Sequence, residues 1–174
     1  MRITGGRWAG RALFSPAGRV RPTAEALRDT IMELIAEDLA GARLVDLFAG
    51  SGALGLEALS RGAASCDFVE NGAPALHALK ANVAALRARD RSRIFDRDAI
   101  PFIERLDAGS YDIALADPPY GSRKLDRVVR RWQASPFSRI LVLEHARDHA
   151  GVPAGERRET GDSVATVLRV PTDG

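Results

Sequence analysis

The chain predicts an α/β fold, a mostly parallel sheet with helices on both faces and an antiparallel edge. Three observations carry that expectation. Short apolar runs of strand length alternate with longer stretches whose apolar residues recur at helical spacing. A glycine-rich segment, Gly50-Ser51-Gly52, joins the first apolar run to its helix. The last stretch offers two strand-like segments split by Gly161-Asp162, a hairpin signal.

The elements follow in order. The first 20 residues are rich in Gly and Arg with scattered apolar residues (Ile3, Trp8, Leu13, Phe14), and read as a short hairpin or extended arm. With Arg21 they form a basic N-terminal segment, 1–21, ahead of the main domain, 22–174. From Pro22 the pattern is helical: Thr23 is the expected N-cap, Ala26, Leu27, Ile31, Leu34, Ile35 and Leu39 keep helical spacing, and Gly41 stops the helix. Residues 44–48 form a short apolar run interrupted by Asp46, and 53–60 a helix ending at Gly62. Then come a strand over 66–69, a helix over 74–89, a brief strand over 93–95, a helix over 99–106 and a strand over 111–116. Residues 125–132 form a basic amphipathic helix. Residues 140–143 are continuously apolar, as in a strand buried on both faces. The tail strands are expected at 157–160 and 164–170.

Composition narrows the class. At 174 residues the chain has the length of one domain with a short extension. Hydrophobic residues at 45% and charged residues at 28% exclude disorder, collagen and coiled coil. No 18-residue apolar run occurs, so no membrane helix is expected, and the first residues lack the apolar core of a signal peptide. The lone Cys66 gives no disulfide framework and fits a reducing cytoplasm. His145 and His149 are four apart, but no third ligand has suitable spacing, so no metal is expected.

The net charge of +2 hides an uneven distribution. Residues 1–28 hold six arginines (Arg2, Arg7, Arg11, Arg19, Arg21, Arg28) against Glu25, a net of +5, which leaves −3 for the rest. Arginine's planar fork suits phosphate, so this end points to an anionic partner, most simply nucleic acid. The plainer reading is a solvated arginine surface.

Two motifs carry chemistry. In Asp46-Leu47-Phe48-Ala49-Gly50-Ser51-Gly52 the glycines permit a tight turn and close approach of a ligand, and the next helix aims its N–H groups there. Gly50, Gly52 and Gly55 also fit the dinucleotide pattern, but an in-strand Asp46 argues against a dehydrogenase; it can accept from an ammonium or cap the turn. Glu70 ends the next strand, 18 residues after Gly52, where a carboxylate accepts ribose hydroxyls. Asp98 follows the third strand and can accept from an adenine amine, cap the following helix, or do both. The second motif, Asp117-Pro118-Pro119-Tyr120, ends the fourth strand. Its prolines stiffen the backbone and remove two donors. A carboxylate beside a rigid carbonyl suits an NH₂ group held between them, and Tyr120 gives a flat base a stacking face.

The order of these motifs resembles that of class I S-adenosyl-L-methionine-dependent methyltransferases acting on exocyclic amines. Arg2-Ile3, Gly5-Gly6, Gly10-Arg11 and Val20-Arg21-Pro22-Thr23, with Asp46 through Ala58, narrow the resemblance to the bacterial small-subunit ribosomal RNA guanine-N2 methyltransferases (RsmD-like), over roughly residues 2–170. The resemblance implies a Rossmann-like, seven-stranded sheet with a reversed last strand. It implies cofactor contacts from Asp46, Phe48, Ala49, Gly50, Ser51, Gly52, Glu70 and Asp98. It implies a guanine of 16S rRNA held at Asp117, Pro118, Pro119 and Tyr120, in free rRNA or an assembling small subunit. One compact domain with its own RNA arm is expected to act as a monomer. The arginines Arg2, Arg7, Arg11, Arg19 and Arg21, with Arg123 and Lys124 after the second motif, are then the expected RNA contacts. Gly72 departs from the family pattern, which has an acidic or amide residue there. The competing readings are a DNA adenine-N6 methyltransferase, an NAD-dependent oxidoreductase and an assembly factor with an idle site. The first lacks a long insertion for target recognition, and the second leaves Asp117 to Tyr120 unexplained.

Overall fold

The computed structural model describes residues 1–16 and 22–173. A seven-stranded sheet organises the molecule, in the order β3-β2-β1-β4-β5-β7-β6. The strands are β1 (Arg43–Leu47), β2 (Ser65–Glu70), β3 (Ser92–Asp96), β4 (Tyr111–Ala116), β5 (Ser138–Ala146), β6 (Glu156–Thr160) and β7 (Ser163–Arg169). β1 to β5 run parallel. The hairpin signal at Gly161-Asp162 is realised as β6–β7, with β7 antiparallel to both β5 and β6. The reversed strand is thus inserted beside β5, and β6 takes the edge. The helices are α1 (Pro22–Leu34), α2 (Ala36–Leu39), α3 (Ala53–Ser60), α4 (Ala73–Ala85), α5 (Ala99–Glu104) and α6 (Lys124–Ala134).

Strand alternation divides the core. Leu44, Phe68, Ile113 and Ile140 pack with residues of α1, α3 and α4 in one apolar cluster. Val45, Val69, Ala114 and Leu141 pack with residues of α5 and α6 in the other. β5 is buried along 140–143, as its unbroken apolar run requires.

Most boundaries shift by one to three residues from the sequence reading, and three places differ in kind. The first helix begins at Pro22, so Thr23 lies inside it rather than capping it, and it breaks at Ile35 (φ −114°, ψ 15°) before α2 resumes. α4 stops at Ala85, short of residue 89. Arg87 takes φ +53° there, its N–H donates to Ala84 O, and the Ala88 N–H donates to Val83 O. That is a Schellman stop, with arginine where glycine is usual. His145 and His149 do not share a helix: His145 is buried in β5, its Nε2 2.8 Å from Thr166 Oγ1, and His149 Nε2 lies 2.9 Å from Asp126 Oδ1.

The N-terminal segment folds back as a short hairpin. Ile3 N donates to Arg11 O (2.9 Å) and Gly10 N to Ile3 O (2.8 Å), around a 3₁₀ turn at Gly6–Trp8. Ile3, Trp8 and Leu13 bury themselves in the α1–α3–α4 cluster. The hairpin lies so close to α3 that a Cβ at Gly6 would stand 2.0 Å from Ser60 O. Glu57 on α3, fully buried, holds this junction. Its carboxylate accepts from Gly5 N (2.9 Å), Thr4 N (3.1 Å), Thr4 Oγ1 (2.9 Å), Arg28 Nε (3.0 Å) and Arg61 Nε (3.0 Å). Arg28 is equally buried and also donates to Arg2 O.

Removing one partner of a buried ion pair strands the other charge, which costs about 3–5 kcal/mol. Glu57→Ala is therefore expected to lose about that much stability in urea unfolding. Glu57→Gln, whose amide oxygen still accepts from the Thr4 and Gly5 amides, loses less. A loss below about 1 kcal/mol for Glu57→Ala would show that Arg28 finds another partner.

Candidate active site

The parallel strands bring their carboxyl ends to one edge, and the chain winds in opposite directions on either side of the β1–β4 boundary. Ligands of open α/β sheets bind at that edge. Each of the four central strands delivers an acid there: Glu70 ends β2, Asp46 lies in β1, Asp117 follows β4, and Glu144 lies near the end of β5.

Asp46 points to the α3 side, where its Oδ2 accepts from Gly55 N at 3.0 Å. It is 1% exposed. Burial pushes its carboxyl well above the usual carboxylate range. The Gly55 N–H works against that push, and the nearby Asp117 and Glu70 charges add to it. The chain leaves β1 through Phe48, whose φ of +57° is strained for a side-chain-bearing residue. Gly52 then takes φ +84°, and a Cβ there would meet Leu79 Cδ1 at 2.4 Å, so a side chain at this position would be both strained and crowded. Glu70 is oriented by three backbone donors: Gly50 N at 2.8 Å, Asn71 N at 2.8 Å and Gly72 N at 3.0 Å. Position 72 thus acts through its amide, for which no side chain is needed.

Two clefts open beside this turn. One, of about 230 Å³, is lined by Asp46, Phe48, Ala49, Gly50, Ser51 and Asp117, with Met1, Arg28, Glu144 and Ser163 closing it. The other, of about 250 Å³, is lined by Phe48, Glu70, Asn71, Asp117, Pro118, Pro119, Tyr120 and Lys124. Phe48 and Asp117 belong to both, so the glycine turn and the Asp117-Pro118-Pro119-Tyr120 segment face a shared space. Tyr120 keeps an exposed ring, while its hydroxyl lies 2.5 Å from Ser163 Oγ. The Lys124 ammonium lies 5.7 Å from the Phe48 ring centroid.

Asp98 is set apart from both clefts. It caps α5 through Ile100 N (3.1 Å) and lines a separate depression with Arg97, Pro101 and Phe102. Among the basic residues, Arg2, Arg7, Arg11 and Arg123 are exposed and Arg28 is buried. Arg19 and Arg21 lie outside the described residues. The sequence reading missed Glu144 and Ser163, and it counted Arg28 only among the arginines of the basic end. Glu144 had a signal, since an acid closes an apolar strand there as Glu70 does after β2. Ser163 had none, because the return of the β6–β7 hairpin alone brings it to Tyr120.

The strand order with an inserted reversed strand is that of the class I methyltransferase fold. A family model described as conserved hypothetical protein 95 matches residues 1–153. YlbH of Bacillus subtilis is 34% identical over 155 residues, covering 85% of this chain and 84% of that one. Ribosomal RNA small subunit methyltransferase D of Escherichia coli is 36% identical over 130 residues, covering 74% of this chain and 65% of that one. The solved structure of yhhF from Escherichia coli matches with a TM-score of 0.85 at 28% identity, over 97% of both chains. By the matched model and these relatives, the chain belongs to the conserved hypothetical protein 95 family, that of ribosomal RNA small subunit methyltransferase D.

Proposed function

We propose that this protein transfers a methyl group from S-adenosyl-L-methionine to the exocyclic N2 of a guanine in 16S ribosomal RNA. The observation that carries this reading is the shared wall of the two clefts: Phe48 and Asp117 face both the glycine turn and the amine-binding motif. The printed name of the Escherichia coli relative supports the small-subunit rRNA as substrate. No connection between elements after α1 is longer than residues 147–155, so the fold carries no long insertion of the kind that DNA adenine methyltransferases use for target recognition.

The site fits the cofactor. A Cβ built on Gly50 meets nothing within 4 Å, so this residue borders open space where a ligand can approach the backbone. The acids around the clefts suit a cationic group, and Glu70, held by its three amides, keeps acceptor capacity for ribose hydroxyls. Asp98 has Oδ1 on the helix cap and lines neither cleft, so it reaches the adenine amine only if the nucleoside extends past Glu70 into the separate depression. When bound, S-adenosyl-L-methionine supplies an activated methyl on a sulfonium.

The chain's own residues then prepare the amine. The guanine N2 lone pair is conjugated with the ring and is a poor nucleophile. The Asp117 carboxylate and the Pro118 carbonyl accept its two hydrogens, which favours a pyramidal nitrogen with its lone pair directed away from them. Asp117 would take the surplus proton as the N–C bond forms and the methyl's bond to the sulfonium breaks, the electron pair of that bond staying on sulfur as a neutral thioether. Pro119 holds the segment rigid, and Tyr120 stacks on a base flipped or splayed from its helix. Arg2, Arg7, Arg11, Arg19, Arg21, Arg123 and Lys124 contact rRNA phosphates. The protein acts as a monomer in the cytoplasm, on free rRNA or an assembling subunit, and needs no metal.

Asp117→Ala is expected to lower methyl transfer from labelled cofactor to 16S rRNA by at least about 10²-fold, with cofactor binding retained. Near-normal transfer by that variant refutes the role of Asp117. Asp46 tests the electrostatics. Its raised pKa means that the unfolded chain ionises first, so folding is penalised as pH rises through the unfolded value, and the penalty is complete above the folded one. Asp46→Asn should therefore melt higher than wild type at neutral pH, with the difference vanishing in acid, while binding cofactor more weakly. RNA binding should fall with salt by a log–log slope of about 0.7–0.9 per phosphate contacted, and a flat dependence contradicts the arginine assignment.

A further inference from the structure

Four arginines gather around Trp8 at the C-terminal end of α4. The Arg7 and Arg91 guanidinium carbons lie 5.3 Å and 5.2 Å from the Trp8 ring centroid. Arg11 donates through Nη2 to Ala85 O at 2.8 Å, which fixes its stem against the helix end. Arg87 completes the set from its left-handed position at the Schellman stop. Together with Trp8, Ala85, Leu86 and Asp90 they line a groove of about 550 Å³.

Asp90 is the only acid in that lining, so the groove carries a net positive charge. Among the described residues, none of the four arginines forms an ion pair, whereas Arg28, Arg61 and Arg93 all do. Four like charges held together beside a single acid disfavour the free protein. The fold accepts a further penalty at Arg87, where glycine would relieve the backbone. A cluster maintained against both costs matches a multiply charged anion, and arginine forks match phosphate oxygens.

The place of the groove separates it from the catalytic mouth. α4 begins three residues after Glu70 and extends for 13 residues, about 20 Å of helix, before it reaches Ala85. The two linings share no residue. We propose that this groove is a second RNA-docking site, gripping backbone phosphates of the same RNA whose base enters the mouth. The proposal rests on the rRNA reading above and adds Arg87 and Arg91 to the residues that hold the substrate. An RNA must be long or folded enough to span α4 to use both sites.

Filter binding of in vitro-transcribed 16S rRNA tests it. The double variant Arg87→Glu/Arg91→Glu should bind at least about tenfold more weakly, with the salt slope shallower by about 1.4–1.8 and the cofactor affinity unchanged. Arg87→Gly separates binding from folding: it should melt higher than wild type, because glycine suits the left-handed stop, yet bind the RNA severalfold more weakly. Wild-type affinity and slope in the double variant overturn the proposal. So does a loss confined to assembled small subunits with naked 16S rRNA bound normally, since the groove would then dock a ribosomal protein. Failure of the wild-type protein to bind either naked 16S rRNA or assembled small subunits overturns the rRNA reading first, and the groove assignment with it.

Discussion

The buried Glu57 carboxylate is the constraint on which the active site depends. Five hydrogen bonds converge on a group with no access to water, from the hairpin, from α1 and from α3 itself. Such a network holds one geometry because every alternative strands a charge. α3 is also the helix whose first turn, through Gly55, holds Asp46. One short helix therefore sets the cofactor turn at one end and, through Glu57, ties down Arg28, which walls the same cleft. The N-terminal hairpin and the sheet edge become one rigid unit around the site.

Charge is distributed by task. Carboxylates from neighbouring strands converge on the carboxyl edge, where burial and mutual repulsion lift Asp46. That arrangement disfavours the empty protein and favours a cation, so part of the binding selectivity is stored in the fold before any ligand arrives. The arginines divide in turn. Arg28 and Arg61 serve the Glu57 network, while Arg7, Arg11, Arg87 and Arg91 face outward around Trp8. A count of positive residues in the first 28 positions cannot separate Arg28 from Arg7 and Arg11, since burial and not position decides which arginine faces solvent.

Legibility followed locality. The helix Ala53–Ser60 and the strand Tyr111–Ala116 appeared within the bounds read from sequence, because glycines and the Asp-Pro pair punctuate them and their apolar residues agree with their burial. The break at Ile35 and the early stop of α4 were hidden, because helical spacing continues through both and only packing against the sheet and hairpin ends the helices. The two histidines at helical spacing proved to lie on a strand and the connection after it, where four-residue spacing places no common face.

The sequence by itself determined the alternation of strands and helices, the glycine turn and the Asp117-Pro118-Pro119-Tyr120 segment, since each rests on backbone rules acting over a few residues. Only the tertiary structure decided that the reversed strand β7 lies between β5 and β6, that Ser163 meets Tyr120, that Glu144 joins Asp117, and that Asp98 stands in a separate depression. It likewise decided that Arg28 belongs to Glu57 while Arg87 belongs to the groove around Trp8. These pairings join residues far apart in the chain, and burial with charge matching, neither visible in local pattern, selects them.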